Sequence, residues 1–503
     1  MKHNKTVHIL AVITALSLML NLFMIGSAYM GTKPGDMDGN GVVDEEDAIY
    51  LLQHVLMPDM FPLVPGDDQN DNMENLSVGF GRVNITPDFA ATMISPMGEE
   101  YTSEGFLDYL YLTCLAVTEG EETILIFTAD TYSISNYILS QIRSAVSSWT
   151  DIPADRIFAY ATHTQAAPKL TETYLNCFLD YAKSAAKQAL KDRAPAKVLT
   201  GTVKLGGKNA VNHYQLADGT YAGPNFGNLS NADIPVVGHA RASDNHLVLV
   251  RFERVGEDKK DIMLANWQAH PDFIKTEQCL ISADFPGAMR EMVEKETGMH
   301  FAYFTGAAGD VSADSILPGI RHGLGMREYG TMLANEAIKA LSDLREVGNS
   351  GLRIAETRCY LSVDHSWDHM ILEADEVYDV WKSAGKEVGD ALAKSYGLPS
   401  VYQARKIRSC VNKAATEDMK IQVFSIGDIG FVSVPYEMYS GQGVYIRENS
   451  PFHTTFICSQ NSGCFPSKDA YEYLSFDVYN CYYVSGTAEE LAEAYVKLLN
   501  EIK

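Results

Sequence analysis

Segments typical of strands and of helices alternate along the chain from about residue 76. Two apolar, β-prone runs at 109–117 and 123–128 are separated by Glu119-Gly120-Glu121, a spacing that indicates a hairpin. A helical segment at 137–149 and a strand at 156–161 follow directly. Strand, helix and strand in so short a stretch form a βαβ unit with parallel strands. We therefore predict an α/β domain of mixed β-sheets flanked by helices.

The same alternation continues to the C-terminus, so that one large domain is predicted over residues 76–503. Further strands are predicted at 261–267, 300–304, 421–426 and 429–434. Long segments with an apolar stripe at helical spacing are predicted to form the outer layer, because that stripe must be buried against the sheets. They are residues 173–191, 329–344 and 370–396.

Polar side chains with metal-binding or catalytic chemistry follow four of these strands: His163, His270, Ser312 and Glu437. Functional groups in α/β units gather at the carboxyl ends of the strands. Two histidines and a carboxylate are the minimal protein ligand set of a catalytic zinc, and hydrolysis is the reaction that such a site performs most readily. Asp130, which also follows a strand, is predicted to orient one of the histidines.

Seven segments in this order resemble the catalytic domain of the neutral, non-lysosomal ceramidases. They are VGFGRVNITP (78–87), AYATHTQAAP (159–168), ANWQAHP (265–271), ISADFPGAMRE (281–291), FTGAAGDVS (304–312), SVPYEM (433–438) and VSGTAEELAEA (484–494). The resemblance implies a secreted, zinc-dependent amidohydrolase that cleaves the N-acyl amide of ceramide or a related lipid with a zinc-activated water. It implies that His163, His270 and Glu437 bind the zinc.

The resemblance also implies supporting roles for Asp310 and Ser312, with Ser312 contacting the substrate or the transition state. The sequence departs from the family at three places. Gln165 replaces the second histidine of a Thr-His-Thr-His motif, and Asn212-His213 replaces an Asn-Arg motif. The tyrosine that supplies a fourth zinc ligand is also absent. Cys464 is the nearest candidate for that position, either as a thiolate ligand or as a small buried thiol.

The N-terminal residues resemble an export signal. Lys2 and Lys5 precede an apolar run at 9–25, and Gly26-Ser27-Ala28 supplies small residues for cleavage. We predict a signal peptide over residues 1–28, or an uncleaved membrane anchor, since the apolar run approaches the length of a transmembrane helix. Either interpretation places the rest of the chain outside the cytoplasm, as a secreted, extracellular or cell-surface protein.

A calcium-binding loop is predicted at residues 36–47, because closely spaced oxygen ligands and a turn glycine match the pattern D-x-[DN]-x-[DN]-G. The predicted calcium ligands are Asp36, Asp38, Asn40, the Val42 carbonyl, Asp44 and Asp47. With the helical segment behind it, the module (34–62) resembles one EF-hand-like repeat of a dockerin. The resemblance implies cohesin or another cell-surface component as a partner. An acidic, Pro-containing linker is predicted at 63–75.

Charge and cysteine content narrow the function classes. The 503-residue chain carries a formal net charge of −25, which argues against nucleic acid as a partner, since phosphate binding needs a cationic face. Its eight cysteines are widely spaced, so most are predicted to be free thiols. The spacing does not decide whether Cys458 and Cys464 form a disulfide.

Two alternatives to the amidohydrolase remain: a zinc esterase or deacylase acting on glycan-linked acyl groups, and a non-catalytic, calcium-dependent binding protein at the cell surface.

Overall fold

The computed structural model describes residues 76–95, 100–223, 234–317, 321–349, 351–473 and 475–503. The predicted α/β domain lies within these residues. The predicted signal segment (1–28), calcium module (34–62) and linker (63–75) lie outside them.

The strands follow the predicted order, with several short ones added between them. In chain order they are β1 (Leu76–Asn84), β2 (Thr92–Ile94), β3 (Glu100–Thr102), β4 (Gly105–Phe106), β5 (Tyr111–Glu119), β6 (Glu122–Ala129), β7 (Ile157–Ala161), β8 (Ala194–Lys204), β9 (Ala210–Val211), β10 (Tyr214–Leu216), β11 (Tyr221–Ala222), β12 (Val236–His239), β13 (His246–Arg254), β14 (Ile262–Trp267), β15 (Leu280–Ile281), β16 (His300–Thr305), β17 (Val311–Ser312), β18 (Arg345–Val347), β19 (Arg353–Ser362), β20 (Thr416–Ile426), β21 (Ile429–Val434), β22 (Glu437–Met438), β23 (Thr454–Ser459) and β24 (Cys464–Phe465).

The helices include the three long ones that the sequence predicts, one of them divided. In chain order they are α1 (Asn136–Ser147), α2 (Glu172–Asp192), α3 (Asp284–Thr297), α4 (Met326–Lys339), α5 (Ile371–Ala384), α6 (Lys386–Ser395), α7 (Val401–Cys410), α8 (Ser440–Asn449), α9 (Lys468–Glu472) and α10 (Thr487–Ile502).

The large sheet has the strand order β16-β14-β13-β8-β1-β5-β6-β7, and β18 also pairs with β8. Within the sheet, a short antiparallel pairing of Ser77 with Pro195 and Val78 with Ala194 joins its two halves. The predicted hairpin β5–β6 and the parallel pair β6–β7 are confirmed. In the other half, β14 and β16 are parallel. A smaller sheet, β19-β20-β21-β23, contains the predicted hairpin β20–β21 and a parallel pair β21–β23.

Strand residues alternate between two cores, as the period of two in a β-strand requires. On β5, Leu112 and Cys114 pack with α1 and α2, whereas Leu115 and Val117 face the smaller sheet. The helices α3 and α4 cover the half of the large sheet that contains β13, β14 and β16. The outer face of the smaller sheet packs against α8 and α10. The predicted architecture of mixed sheets flanked by helices is therefore confirmed.

Close contact between α2 and β1 depends on two glycines. A β-carbon at Gly79 would lie 2.0 Å from the Ala189 carbonyl oxygen, and one at Gly81 would lie 2.0 Å from that of Ala185. Because the facing helix residues are alanines, backbone packs almost directly on backbone here. This contact fixes β1, and through it β5 and β6, beneath the helix.

Two details differ from what the sequence suggested. The segment predicted as one helix over 370–396 is two helices, α5 and α6, because Gly385 adopts a left-handed φ of 89° between them. Cys458 and Cys464 are both buried free thiols, so the bridge that the spacing left open is not formed. Among the described residues, no helix has the length and hydropathy needed to cross a lipid bilayer.

Candidate metal centre

Three loops at the carboxyl ends of strands bring the predicted ligands together. His163 lies two residues beyond β7, His270 three residues beyond β14, and Glu437 three residues beyond β21. Hydrogen bonds between the loops fix their spacing. The Thr305 hydroxyl donates to the Thr162 carbonyl at 2.6 Å, and the Gln165 amide donates to the Pro271 carbonyl at 3.1 Å.

The three side chains that the sequence predicted as ligands form a group that could hold a metal ion. One ligand atom from each of His163, His270 and Glu437 lies within 4.8 Å of the other two. His163 Nε2 is 3.6 Å from Glu437 Oε1, and His270 Nε2 is 3.5 Å from Glu437 Oε2. Two ligand atoms that each lie about 2.1 Å from a tetrahedrally coordinated ion are about 3.4 Å from each other. Both nitrogen–oxygen distances therefore suit one shared zinc ion.

Backbone carbonyls set the orientation of both imidazoles. His163 Nδ1 donates to the Tyr132 carbonyl oxygen at 2.7 Å, and His270 Nδ1 donates to the Val311 carbonyl oxygen at 3.0 Å. A hydrogen bond of this kind fixes the tautomer and leaves the Nε2 lone pair for a metal. Both Nε2 atoms therefore point toward Glu437.

His163 Nε2 is a buried polar atom with no hydrogen-bond partner in the described part of the chain. Such an atom is costly to bury unless something binds it. His163 itself is 1% exposed and has a left-handed φ of 66°, a conformation that strains a non-glycine residue. A metal ion at the cluster would satisfy the orphaned nitrogen and account for the strained backbone. The residues present therefore fit a bound zinc.

Without a metal, the charges around the cluster favour a state in which one of the three side chains, His270, carries an extra proton. Burial lowers the pKa of His163, so this imidazole stays neutral. Burial also acts to lower the pKa of His270, but the Glu437 carboxylate outweighs it and raises that pKa to about 9. For Glu437, burial would raise the pKa, but the two imidazoles lower it. At neutral pH, His270 and Glu437 are therefore an ion pair beside a neutral His163.

This charge state predicts how metal binding depends on pH. A histidine must be neutral to ligate a metal, so binding at pH 7 displaces the proton of His270. We expect the zinc association constant to rise about tenfold per pH unit between pH 6 and 8.5, toward the pKa of His270. Calorimetric titration in buffers of different ionisation enthalpy measures both the affinity and the proton released. A zinc affinity that is independent of pH would contradict this charge assignment.

Asp310 lies beside the cluster without joining it. Its buried carboxylate accepts hydrogen bonds from the Ser440 amide at 2.7 Å and from Arg241 Nε at 3.0 Å. The adjacent Gly309 amide donates to the Met438 carbonyl at 2.8 Å. These contacts hold the segment that runs from Glu437 into α8. Asp310 is therefore placed to position Glu437.

Ser312 lies next to His270, as the resemblance implied. Its backbone forms a parallel bridge with His270 and an antiparallel pair with Ala210. The side chain is half-buried, and its hydroxyl makes no hydrogen bond to another described residue. Its contact with a substrate stays a prediction.

Cys464 pairs with Glu437 across the short parallel strands β22 and β24. Its sulfur is nevertheless not part of the group of atoms that lie within 4.8 Å of one another. Burial, with the nearby carboxylates of Asp477 and Glu437, raises the pKa of the thiol. Its role as a fourth ligand stays a prediction.

His213 is fully buried in a network of hydroxyl and carboxylate groups. Its Nδ1 lies 2.5 Å from the Tyr473 hydroxyl, and its Nε2 lies 3.4 Å from both the Tyr439 hydroxyl and Asp477 Oδ2. Tyr439 donates to the same Asp477 oxygen at 2.5 Å. An imidazole here occupies the motif position at which the family has an arginine, and its polar atoms face these protein groups.

The prediction that Asp130 orients a metal-bound histidine is wrong. Its carboxylate accepts hydrogen bonds from the Tyr111 amide and from Arg290. The Tyr132 carbonyl orients His163 instead. Sequence reasoning also missed Arg241, which pairs with Asp310 and Asp469. The available signal for Tyr132 was its place in the loop that follows a predicted strand, two residues after Asp130.

Comparison with known proteins finds similar three-dimensional structures but no match at the level of sequence. No protein-family model matches the sequence, and no curated protein matches it. Two solved structures are similar: neutral ceramidase from Pseudomonas aeruginosa, and a ceramidase complexed with C2. The fold is that of the neutral ceramidases. Both alignments have a TM-score of 0.61 and cover 84% of this chain, with 74% and 75% of the other chains covered and identities of 15% and 14%.

At 84% of this chain, the likeness extends over most of the α/β domain. The resemblance in the seven motif segments predicted the same fold from sequence alone. At 14–15% identity the likeness concerns architecture. The evidence for metal binding and hydrolysis is the cluster of His163, His270 and Glu437.

Proposed function

We propose that residues 76–503 form a zinc-dependent amidohydrolase that cleaves the N-acyl amide bond of ceramide or of a related lipid amide. One observation carries the proposal: His163, His270 and Glu437 converge with spacing suited to one ion, and His163 Nε2 is buried without a partner. The similar structures support the substrate class, since both are ceramidases and one is complexed with C2.

Each ligand residue has a distinct part in holding the metal. The two imidazoles are neutral donors fixed by carbonyls, and Glu437 supplies the negative charge that a dication needs in a buried site. A bound zinc polarises the substrate carbonyl and lowers the pKa of water. His163 is almost fully buried, whereas the side chains of His270 and Glu437 are each 14% exposed. Substrate therefore approaches from the side of His270 and Glu437, where the Ser312 hydroxyl is available as a donor.

The N-terminal predictions are part of the same proposal. Export through residues 1–28 would place the hydrolase outside the cytoplasm, or hold it at the membrane if that segment is retained. The loop at 36–47 would bind calcium and join the enzyme to cohesin or another cell-surface component. An extracellular location suits an enzyme whose substrate is a membrane lipid.

Assays with amide substrates and with O-acyl substrates separate this function from its alternatives. We expect the purified protein to release fatty acid from an N-acylated sphingoid amide, to lose this activity after chelation and to regain it with zinc. His163→Ala is expected to remove the activity. The matched control His453→Ala, which changes an exposed histidine, is expected to retain it.

Two outcomes would contradict the proposal. If the protein cleaves only O-acyl esters or acetylated glycans, the substrate class is wrong and the esterase alternative holds. If it cleaves neither class with zinc bound, the non-catalytic binding protein is favoured. The assembled ligand set opposes that last alternative, because a site without function has no reason to keep three converging ligands.

A further inference from the structure

We propose that the Tyr132 hydroxyl donates a hydrogen bond to the substrate's carbonyl oxygen, and to the oxyanion that forms from it, at the metal centre. The proposal rests on the proposed function and adds a catalytic residue. Neither the motif pattern nor the fold comparison indicates this residue.

Tyr132 is attached to the metal centre through both its backbone and its ring. It lies in the loop between β6 and α1, three residues beyond the end of β6. Its carbonyl oxygen accepts the hydrogen bond from His163 Nδ1 at 2.7 Å. Its ring packs on the same imidazole, with 4.8 Å between ring centroids and 32° between ring planes.

These two contacts determine which way the hydroxyl points. The backbone of Tyr132 sits at the Nδ1 side of the imidazole, and the ring lies along the imidazole face. A ring that starts at the Nδ1 side and runs along the imidazole face carries its hydroxyl end toward the Nε2 side, where the metal would bind, and this orientation is part of the proposal. In agreement, Glu437 is the charged group that most strongly raises the pKa of Tyr132, after burial itself.

The hydroxyl is available as a donor. It makes no hydrogen bond with any residue in the described ranges. By contrast, the hydroxyls of Tyr439 and Tyr473 are both engaged by the network around His213. Tyr132 is half-buried, so its hydroxyl remains within reach of a bound substrate. A tyrosine phenol, whose ordinary pKa is about 10, is neutral at physiological pH and can donate its proton in a hydrogen bond.

The reaction requires such a donor. Water adds through its oxygen to the amide carbon, and the carbonyl π electrons move onto the carbonyl oxygen, which becomes an oxyanion. The oxyanion re-forms the carbonyl as the carbon–nitrogen bond breaks, nitrogen takes the proton that the attacking water gives up, and the products are a carboxylic acid and an amine. A preorganised donor aimed at the developing oxyanion stabilises the transition state more than the ground state. The phenol remains intact throughout.

The substitution Tyr132→Phe tests this role, because it removes the hydroxyl and keeps the ring on His163. We expect kcat for a lipid amide to fall about 100- to 1000-fold with little change in KM, and the zinc content to stay that of the wild type. Tyr137→Phe, at an exposed tyrosine five residues further on, is the matched control and is expected to change none of these quantities.

A binding measurement tests the same role without turnover. A phosphonate analogue of the lipid amide has the shape and charge of the tetrahedral oxyanion. We expect its affinity, measured by calorimetry, to fall about 100-fold in Tyr132→Phe, while the affinity of an uncleaved N-alkyl analogue without the carbonyl is unchanged. Equal phosphonate affinity in the variant and the wild type would overturn the role of Tyr132.

The two measurements distinguish failure of this inference from failure of the proposed function. If the wild type cleaves lipid amides and Tyr132→Phe cleaves them equally well, the hydrolase stands and the inference is wrong. If the wild type cleaves no amide but binds the phosphonate through Tyr132, the substrate class is wrong and the oxyanion donor stands. A wild type that neither cleaves the amide nor binds the phosphonate overturns both.

Discussion

The substitution Glu437→Gln is expected to weaken zinc binding more than a hundredfold and to remove hydrolytic activity. Glu437 contributes the one negative charge among the three ligands and faces both imidazoles, at 3.6 Å and 3.5 Å. The glutamine side chain has the same shape but no charge, so the positive charge of the buried zinc ion would lack its counter-charge. Breaking a buried ion pair by removing one partner typically costs about 3–5 kcal/mol.

Competition against a chelator of known affinity measures this loss directly. Glu448→Gln is a suitable control, because Glu448 is an exposed residue of α8, well beyond the Glu437 turn. We expect it to leave zinc affinity and activity unchanged. If Glu437→Gln binds zinc as tightly as the wild type, Glu437 is not a ligand and the assignment of the centre is wrong.

The substitution Asp310→Asn is expected to lower the free energy of unfolding by about 3 kcal/mol and to weaken zinc binding about tenfold or more. The carboxylate of Asp310 is fully buried between Arg241 and the first turn of α8. Burial would lower the pKa of Arg241, but Asp310 and Asp469 raise it, so the guanidinium stays charged. Removing the Asp310 charge leaves that cation poorly compensated and loosens the segment that carries Glu437.

Asp469→Asn is the matched control, since Asp469 pairs with the same arginine but its side chain is 48% exposed. A solvent-exposed partner contributes about 1 kcal/mol or less, so the loss of stability should be small. Denaturant unfolding and zinc affinity are the measurements. If Asp310→Asn leaves both unchanged and abolishes only turnover, Asp310 acts on the substrate and the positioning role is wrong.

Local patterns along the chain predicted most of the fold and the three side chains that converge at the cluster. The period of two in β5 and the turn at Gly120 define the β5–β6 hairpin, and a helix of ordinary length returns the chain to β7. Because side chains at the carboxyl ends of strands converge, His163, His270 and Glu437 were recognised before their distances were known. Residue type and strand boundaries were sufficient for this.

The contacts that orient those ligands are not encoded in any side-chain pattern. Both imidazoles are held by backbone carbonyls, of Tyr132 and Val311, and any residue supplies a carbonyl. Asp130 was assigned an orienting role because carboxylates often have it. Its carboxylate instead accepts a hydrogen bond from Arg290, which is more than 150 residues away in sequence. The break between α5 and α6 was missed because one glycine is tolerated in many helices, and only its φ shows that it ends one.

Zinc stoichiometry, measured by elemental mass spectrometry on the purified chain, shows whether His163, His270 and Glu437 bind a metal ion. The wild type is compared with the double variant His163→Ala/His270→Ala and with the control His453→Ala. We predict about one zinc per chain in the wild type and in the control, and none retained by the double variant after dialysis. A wild-type protein, never exposed to chelator, that contains no zinc and takes up none would contradict the account.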